Sequence, residues 1–256
     1  MDLTSIAKEV RKDILLEVYS AQSGHPGGSL SCADILTSIY FDLINDGDKV
    51  ILSKGHASPA LYAALAEKGF FPKEELTSFR KINSHLQGHP SLLKTNGVDA
   101  SSGSLGQGLS IANGMALSFK MDDKKNTVYV ILGDGELQEG QIWEAAMTAS
   151  HYRLNNLIAF VDYNKLQIDG ANDDVMTVAP VKEKFESFGF YAQEIDGHNF
   201  DEIRQAVQNA KKQEKPSVIV ANTIKGKGVS FMENQVGWHG KAPNQEQYEA
   251  ALAEFA

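Results

Sequence analysis

The chain has 256 residues, 42% hydrophobic and 22% charged, enough for one large globular domain or two small ones. With 33 acidic residues against 24 basic ones the formal charge is −9, opposite to the balance of a nonspecific nucleic-acid binder. The start, Met1-Asp2-Leu3-Thr4, lacks the basic flank and apolar stretch of a secretory signal. Apolar runs such as Val128 to Leu132 and Leu157 to Val161 are five residues long, far too short to span a bilayer. A single cysteine, Cys32, rules out an intrachain disulfide and any multi-cysteine metal site, so a cytoplasmic location is expected.

In chain order, Ile6, Val10, Ile14, Leu15 and Val18 recur at helical spacing and predict an amphipathic helix over residues 4–21. The Gly/Pro-rich segment Ser23 to Ser29 is expected to end it. Helical periodicity resumes over 34–43, Val50-Ile51-Leu52 is a short strand, and 59–68 is a helix. An irregular stretch over 83–103 follows, then a helical run over 109–119. In the second half, apolar strands at 127–132, 157–162, 191–196 and 217–222 alternate with helical patterns at 137–150, 181–188 and 200–212. A last helix is expected over 245–255. Such alternation predicts an α/β fold, a parallel sheet with helices on both faces. No repeat, low-complexity tract or linker divides the chain, so 1–256 reads as a single domain. Ligands of such sheets bind beyond the C-terminal strand ends, which directs attention to the loops after Leu132, Asp162 and Asn222.

The first of these loops carries Gly133-Asp134-Gly135-Glu136. In isolation it reads as a tight turn with Asp134 capping a helix. Asn164, thirty positions on at the end of the next strand, changes the weighting. Neighbouring parallel strands would bring Asp134 and Asn164 together, and a carboxylate plus an amide oxygen suits Mg²⁺ or Ca²⁺ already holding phosphate oxygens. Four of the seven histidines share one local grammar: Gly24-His25-Pro26, Gly55-His56-Ala57, Gly88-His89-Pro90 and Trp238-His239-Gly240. Glycine or proline places each on a loop or element end, and none has zinc-motif spacing. Converging neutral imidazoles suit hydrogen bonds to hydroxyls and proton transfer. His85, His151 and His198 lack this context and read as structural or exposed. Gly103-Ser104-Leu105-Gly106-Gln107-Gly108 fits neither the dinucleotide nor the Walker A spacing and suits a backbone wall against a flat ring. Lys225-Gly226-Lys227-Gly228, beyond the last strand, is placed for phosphate contact.

Together these residues resemble the N-terminal, diphosphate-binding domain of transketolase. Gly133-Asp134-Gly135 with Asn164 is similar to the motif shared by many thiamine-diphosphate enzymes. Ser23 to Gly27, Ser53 to Ala57, Gly88-His89-Pro90, Gly103 to Gly108, Ile224 to Gly228 and Trp238-His239-Gly240 carry the more specific likeness, over about residues 20–240 and in the family's order. The resemblance implies a thiamine-diphosphate-binding fold in which Asp134, Asn164 and the Leu166 carbonyl hold the metal. It implies that Gly135, His56, Lys225 and His239 face the diphosphate and that Gly103, Ser104 and Leu105 lie against the cofactor's rings. His25, His56, His89 and His239 would bind sugar hydroxyls and move protons. Glu139 and Glu144 match acidic positions near the family's dimer interface, against the plain reading of a charged helix face.

A full chain of that family continues into a pyrimidine-binding domain and a C-terminal domain, which supply the glutamate that activates the aminopyrimidine and most of the substrate-phosphate grip. This sequence stops soon after Trp238-His239-Gly240, and its arginines are Arg11, Arg80, Arg153 and Arg204. The resemblance therefore implies a subunit that moves a two-carbon ketol unit between sugars, or sugar phosphates, only with a separate C-terminal subunit, in a two-plus-two heterotetramer. Half of a related thiamine enzyme acting on an unusual ketose, an engineered fragment, and a non-catalytic cofactor-binding regulatory module are the alternatives.

Overall fold

Strands buried on both faces must send alternate side chains into two different layers, and these strands do so. In a computed structural model describing residues 2–255, one sheet separates two apolar cores. The chain opens with α1 (Leu3–Ala21), whose first turn is capped by Asp2 Oδ1 accepting from Thr4 N at 3.1 Å. Next come α2 (Pro26–Ser31) and α3 (Ala33–Ser38), the latter running into a π-helical turn over Ile39–Leu43. Then follow β1 (Lys49–Leu52), α4 (Ser58–Glu67), α5 (Gln107–Met121), β2 (Val128–Gly133), α6 (Gly140–His151) and β3 (Leu157–Tyr163). A small antiparallel hairpin of β4 (Leu166–Gln167) and β5 (Gly170–Ala171) leads into α7 (Asn172–Val175). The chain continues through α8 (Val181–Ser187), β6 (Tyr191–Asp196), α9 (Phe200–Ala210) and β7 (Ser217–Asn222), and then α10 (Gln245–Ala253).

The main sheet has the order β1-β2-β3-β7-β6, all parallel. Tyr129, Ile131, Ile158, Phe160 and Ile219 face the layer built around α1, α3, α4 and α9. Val128, Val130, Leu132, Ala159, Val161 and Val220 face the layer of α5, α6 and α8. The predicted α/β class, with helices on both faces, is what the chain adopts. Among the described residues no helix is long and apolar enough to cross a membrane.

One local expectation needs correction, and two elements go beyond what was expected. The segment Ser23 to Ser29 ends α1 as expected and also starts α2 at Pro26. Proline at the first helical position has a preset φ and lacks an N–H that the helix would leave unpaired there. Gly27 within α2 permits a close approach, since a Cβ there would lie 2.8 Å from the Trp238 carbonyl oxygen. The helix expected from Leu137 begins at Gly140, after a 3₁₀ turn over Gly135–Gln138. The buried Glu136 carboxylate holds that turn, accepting from Gly133 N at 2.9 Å and from Gly106 N at 2.8 Å. The β4–β5 hairpin was not foreseen, since strands of two residues leave no periodicity to read.

Phe160 lies on the central strand and is fully buried. Phe160→Ala is expected to cost about 3–5 kcal/mol through lost burial and a residual cavity. Met147→Ala, on an exposed part of α6, is expected to stay within about 0.5 kcal/mol. Urea unfolding of the two variants checks the difference.

Candidate active site

Beneath the C-terminal edge of the sheet lies a buried ion pair. Lys54, just past β1, donates to Asp162 of β3 and, at 2.7 Å, to the Gly28 carbonyl of α2. Asp162 also accepts from Ser31 Oγ at 2.5 Å, from Thr223 Oγ1 and from Asn164 Nδ2 at 3.3 Å. Burial works against both charges, but each partner outweighs it, so Lys54 is held above its ordinary range and Asp162 below. The pair ties the ends of β1, β3 and β7 to α2.

On this base the oxygen donors are assembled. Gly133 is in register with Asp162 across β2 and β3, so Asp134 and Asn164 emerge side by side, as the sequence pattern predicts. Asp134 accepts from Gly135 N at 2.8 Å and Lys165 N at 2.5 Å. Burial first, and then Asp162, raise its carboxyl from 3.8 to about 6. With its Nδ2 turned to Asp162, Asn164 accepts from Leu166 N at 3.2 Å through Oδ1. The Leu166 carbonyl accepts from the Lys225 ammonium at 3.0 Å. This donor set fits a hard cation held jointly with phosphate: its oxygens are one carboxylate, one amide and one carbonyl, and the carbonyl already binds a positive charge. Among the described residues no cluster of three His, Cys, Asp or Glu could hold a metal, so this oxygen set leaves coordination positions for a bound phosphate or water. Around Gly135, Gln167 Nε2 and both amide atoms of Asn172 are buried without a hydrogen-bond partner.

The histidines face these donors across a cleft of about 310 Å³. His25, His56 and His239 form a triangle with ring centroids 5.2, 5.5 and 5.4 Å apart. All three are depressed, chiefly by burial and then by neighbouring cations: His25 to about 4, His239 to about 3 and His56 well below its ordinary value. Lys225 Nζ sits 2.8 Å from His239 Nδ1, and burial lowers this ammonium to about 8. The cleft therefore presents neutral imidazoles beside lysines.

The same cleft is lined by Gly103, Leu105, Asp134, Gly135, Glu139, Asn164, Leu166 and Lys225. Three expected residues do not line it. Ser104 is exposed. His89, also exposed, rests its Cγ 3.3 Å from where a Cβ on Gly103 would lie. Glu144 lies in a separate groove between α5 and α6, beside Asn113 and Thr148. Conversely, sequence reasoning gave no role to Glu136, Asp162, Gln167 or Asn172, which support or border the site. Val161-Asp162 at a strand's end was the one available signal, since a carboxylate closing an apolar run needs a partner.

The remaining histidines are structural or exposed, as expected. His198 bridges Asp34 at 2.7 Å and the Ile224 amide at 2.9 Å, while His85 pairs with Glu75 at 2.6 Å and His151 is exposed. Of the arginines, Arg11 is spent on Asp34 at 2.8 and 2.6 Å, and Arg204 on Asp42 and Asp201, both at 2.7 Å. Arg80 reaches the histidine triangle.

The family profile described as transketolase, thiamine diphosphate binding domain, matches residues 4–255. The chain belongs to the transketolase family. It is 49% identical over 265 residues to the 6-deoxy-6-sulfo-D-fructose transketolase subunit SqwG of Clostridium sp. (strain MSTE9), covering 100% of this chain and 96% of that one. It is 41% identical to an apulose-4-phosphate transketolase subunit from Actinobacillus succinogenes, covering 99% and 96%. Against the transketolase of Homo sapiens identity is 39%, over 99% of this chain but 42% of that protein. The solved transketolase of Campylobacter jejuni superposes with a TM-score of 0.93 at 33% identity, over 99% of this chain and 42% of that one. This transketolase-family chain thus spans the length of the two subunits and less than half of the long chains.

The buried site titrates in opposing directions. Between about 4 and 6.5 an unfolded His25 binds more protons than the folded one, so this contribution to stability is lost as pH falls; His239 adds the same sign down to about 3. Asp134 is raised, so its contribution is present below 3.8 and lost as pH rises through about 6. Without added cofactor or metal, Asp134→Asn is therefore expected to melt higher than the parent at pH 7, with the advantage shrinking below pH 6. Thermal melts across pH 4–8 check this; an advantage that grows on acidification contradicts the assignment.

Proposed function

We propose that this chain is the diphosphate-binding subunit of a split transketolase, moving a two-carbon ketol unit from a ketose, or ketose phosphate, to an aldose. The observation that carries this reading is the convergence, at one sheet edge, of an oxygen donor set and three neutral imidazoles. It is supported by relatives of matching length that are themselves named as transketolase subunits. Residues 1–256 then act as one unit, and a separate subunit supplies the pyrimidine-binding side.

Thiamine diphosphate, when bound, supplies the nucleophilic carbon and the electron sink for cleaving the ketose carbon–carbon bond. In this reading Asp134, Asn164 and the Leu166 carbonyl hold Mg²⁺ (or Ca²⁺), while Gly135, Lys225, His56 and His239 face the diphosphate. Gly103 and Leu105, which line the cleft, form the wall along the rings. Burial favours neutral His25, His56 and His239, so they orient sugar hydroxyls and donate to an oxygen gaining charge without adding fixed charge, with proton movement left to His56. His89, beside Gly103, reaches the sugar from the rim. Glu139, at the cleft lip, and Glu144, exposed on α6, are assigned to contact with a second copy, giving a two-plus-two assembly.

An unusual ketose is the favoured substrate class. Relatives of subunit length are named for 6-deoxy-6-sulfo-D-fructose and apulose 4-phosphate, and Arg80 is the arginine that reaches the histidine triangle. Most of the grip on the far end of the sugar is left to the partner.

Asp134→Ala is expected to weaken metal-dependent cofactor binding by roughly 3 kcal/mol, because it strips the charged ligand from a desolvated site. Titration calorimetry on the reconstituted complex reads this, and unchanged affinity would remove the metal assignment. The lone chain, at saturating cofactor and Mg²⁺, is expected to show no ketol transfer, and addition of the partner subunit to restore it. Substantial turnover by the lone chain would overturn the half-site reading.

A further inference from the structure

Arg80 is built into its position. Its backbone takes φ +59°, uncommon for a non-glycine residue, with its N–H donating to the Leu86 carbonyl at 2.8 Å. The guanidinium lies over the Phe79 ring at 5.4 Å and passes under Gly88, where a Cβ would come within 2.8 Å of Nε. Nη1 donates to Ser23 Oγ at 2.7 Å, and Nη2 faces His25 Nδ1 at 3.4 Å. Nε is buried without a partner, a desolvation cost accepted while the two terminal nitrogens engage Ser23 and His25.

A guanidinium only donates and keeps its charge in proteins. The nitrogen of His25 that faces it must therefore present a lone pair, which leaves the single proton of the neutral ring on Nε2. That atom lies on the Gly240 side, 3.6 Å from where a Cβ on Gly240 would sit. The groups bearing on His25 are Arg80, His89 and Lys225, with the His56 and His239 rings packed against it. None is a carboxylate, so nothing among them rewards an imidazolium. Lys225 faces His239 Nδ1 at 2.8 Å in the same manner.

We propose that Arg80 is a positioning residue that locks His25 as a neutral imidazole protonated at Nε2, so that His25 acts as a hydrogen-bond donor and not as a base. What His25 donates to rests on the function proposed above; the tautomer does not. Ser23 aims the guanidinium, and the short path from Gly24 through His25 to Pro26 keeps the ring beside it.

The test uses the chain labelled with ¹⁵N at histidine, in long-range ¹H–¹⁵N spectra, with His25 assigned by its absence in His25→Asn. The parent is expected to hold one Nε2–H tautomer from pH 8 to pH 5. Arg80→Met is expected to mix the tautomers and raise the titration midpoint by about one pH unit or more. Arg80→Lys is expected to restore the parent tautomer in part, and Ser23→Ala to give an intermediate shift with the charge retained. With the partner subunit, the acid limb of kcat/KM is expected to move up by the same amount in Arg80→Met. An Nδ1–H tautomer in the parent overturns the proposal, even if Arg80→Met does not fold. So does an unchanged tautomer and midpoint in a folded Arg80→Met. Failure of ketol transfer in the reconstituted parent would count against the proposed function alone, because the spectra need no substrate.

Discussion

Everything at the C-terminal edge of the sheet depends on the Lys54–Asp162 pair. Two charges this deeply buried gain little net stability, because their mutual attraction is largely consumed by desolvation. Their effect is registration. Lys54 follows β1, Asp162 belongs to β3, and the remaining lone pairs and protons are satisfied by Ser31 and Gly28 of α2 and by Thr223 after β7. A shift of any of these segments would strand a charge in an apolar interior. The pair therefore fixes where Asn164 stands relative to Asp134, and where α2 holds His25 at its N-terminus.

The electrostatic character of the cleft follows from the same arrangement. Lys54, Lys225 and Arg80 surround imidazoles that are already depressed by burial, and Asp134 is the carboxylate among the oxygen donors. Lys54 is already paired with Asp162, so Lys225 is the cation left facing the oxygen donors, and it suits a ligand that brings negative charge, such as a diphosphate. Lys225, held near 8 by burial, would be stabilised as an ammonium by that anion. Neutral histidines beside it can then give hydrogen bonds to an oxygen gaining charge at little reorganisation cost.

Much of this was legible in the sequence. Apolar strands alternating with helical runs identify a parallel sheet, because only strands covered on both faces can be apolar throughout. Gly133-Asp134-Gly135 and Asn164 each close a strand, so strand adjacency alone brings them together. The histidine grammar foresaw the triangle of His25, His56 and His239 but not that His89 would stay exposed at the rim. The roles of Glu136, Lys54 and Asp162 were hidden, since a buried charge announces itself only when its partner is known, and here Ser53 stands 83 positions from Glu136 and Lys54 stands 108 from Asp162.

The sequence by itself determined the sheet, the layers, the family likeness and the oxygen donor pair, because periodicity and strand-end position are local properties that a parallel fold converts into place. Tertiary structure alone decided which histidines converge, which arginines are consumed by Asp34 and Asp42, and which nitrogen of His25 faces Arg80. Those outcomes turn on contacts between segments distant in the chain and on the burial they create. Burial sets whether an imidazole is charged and a guanidinium sets which way it donates, and neither can be read from a residue's neighbours in sequence.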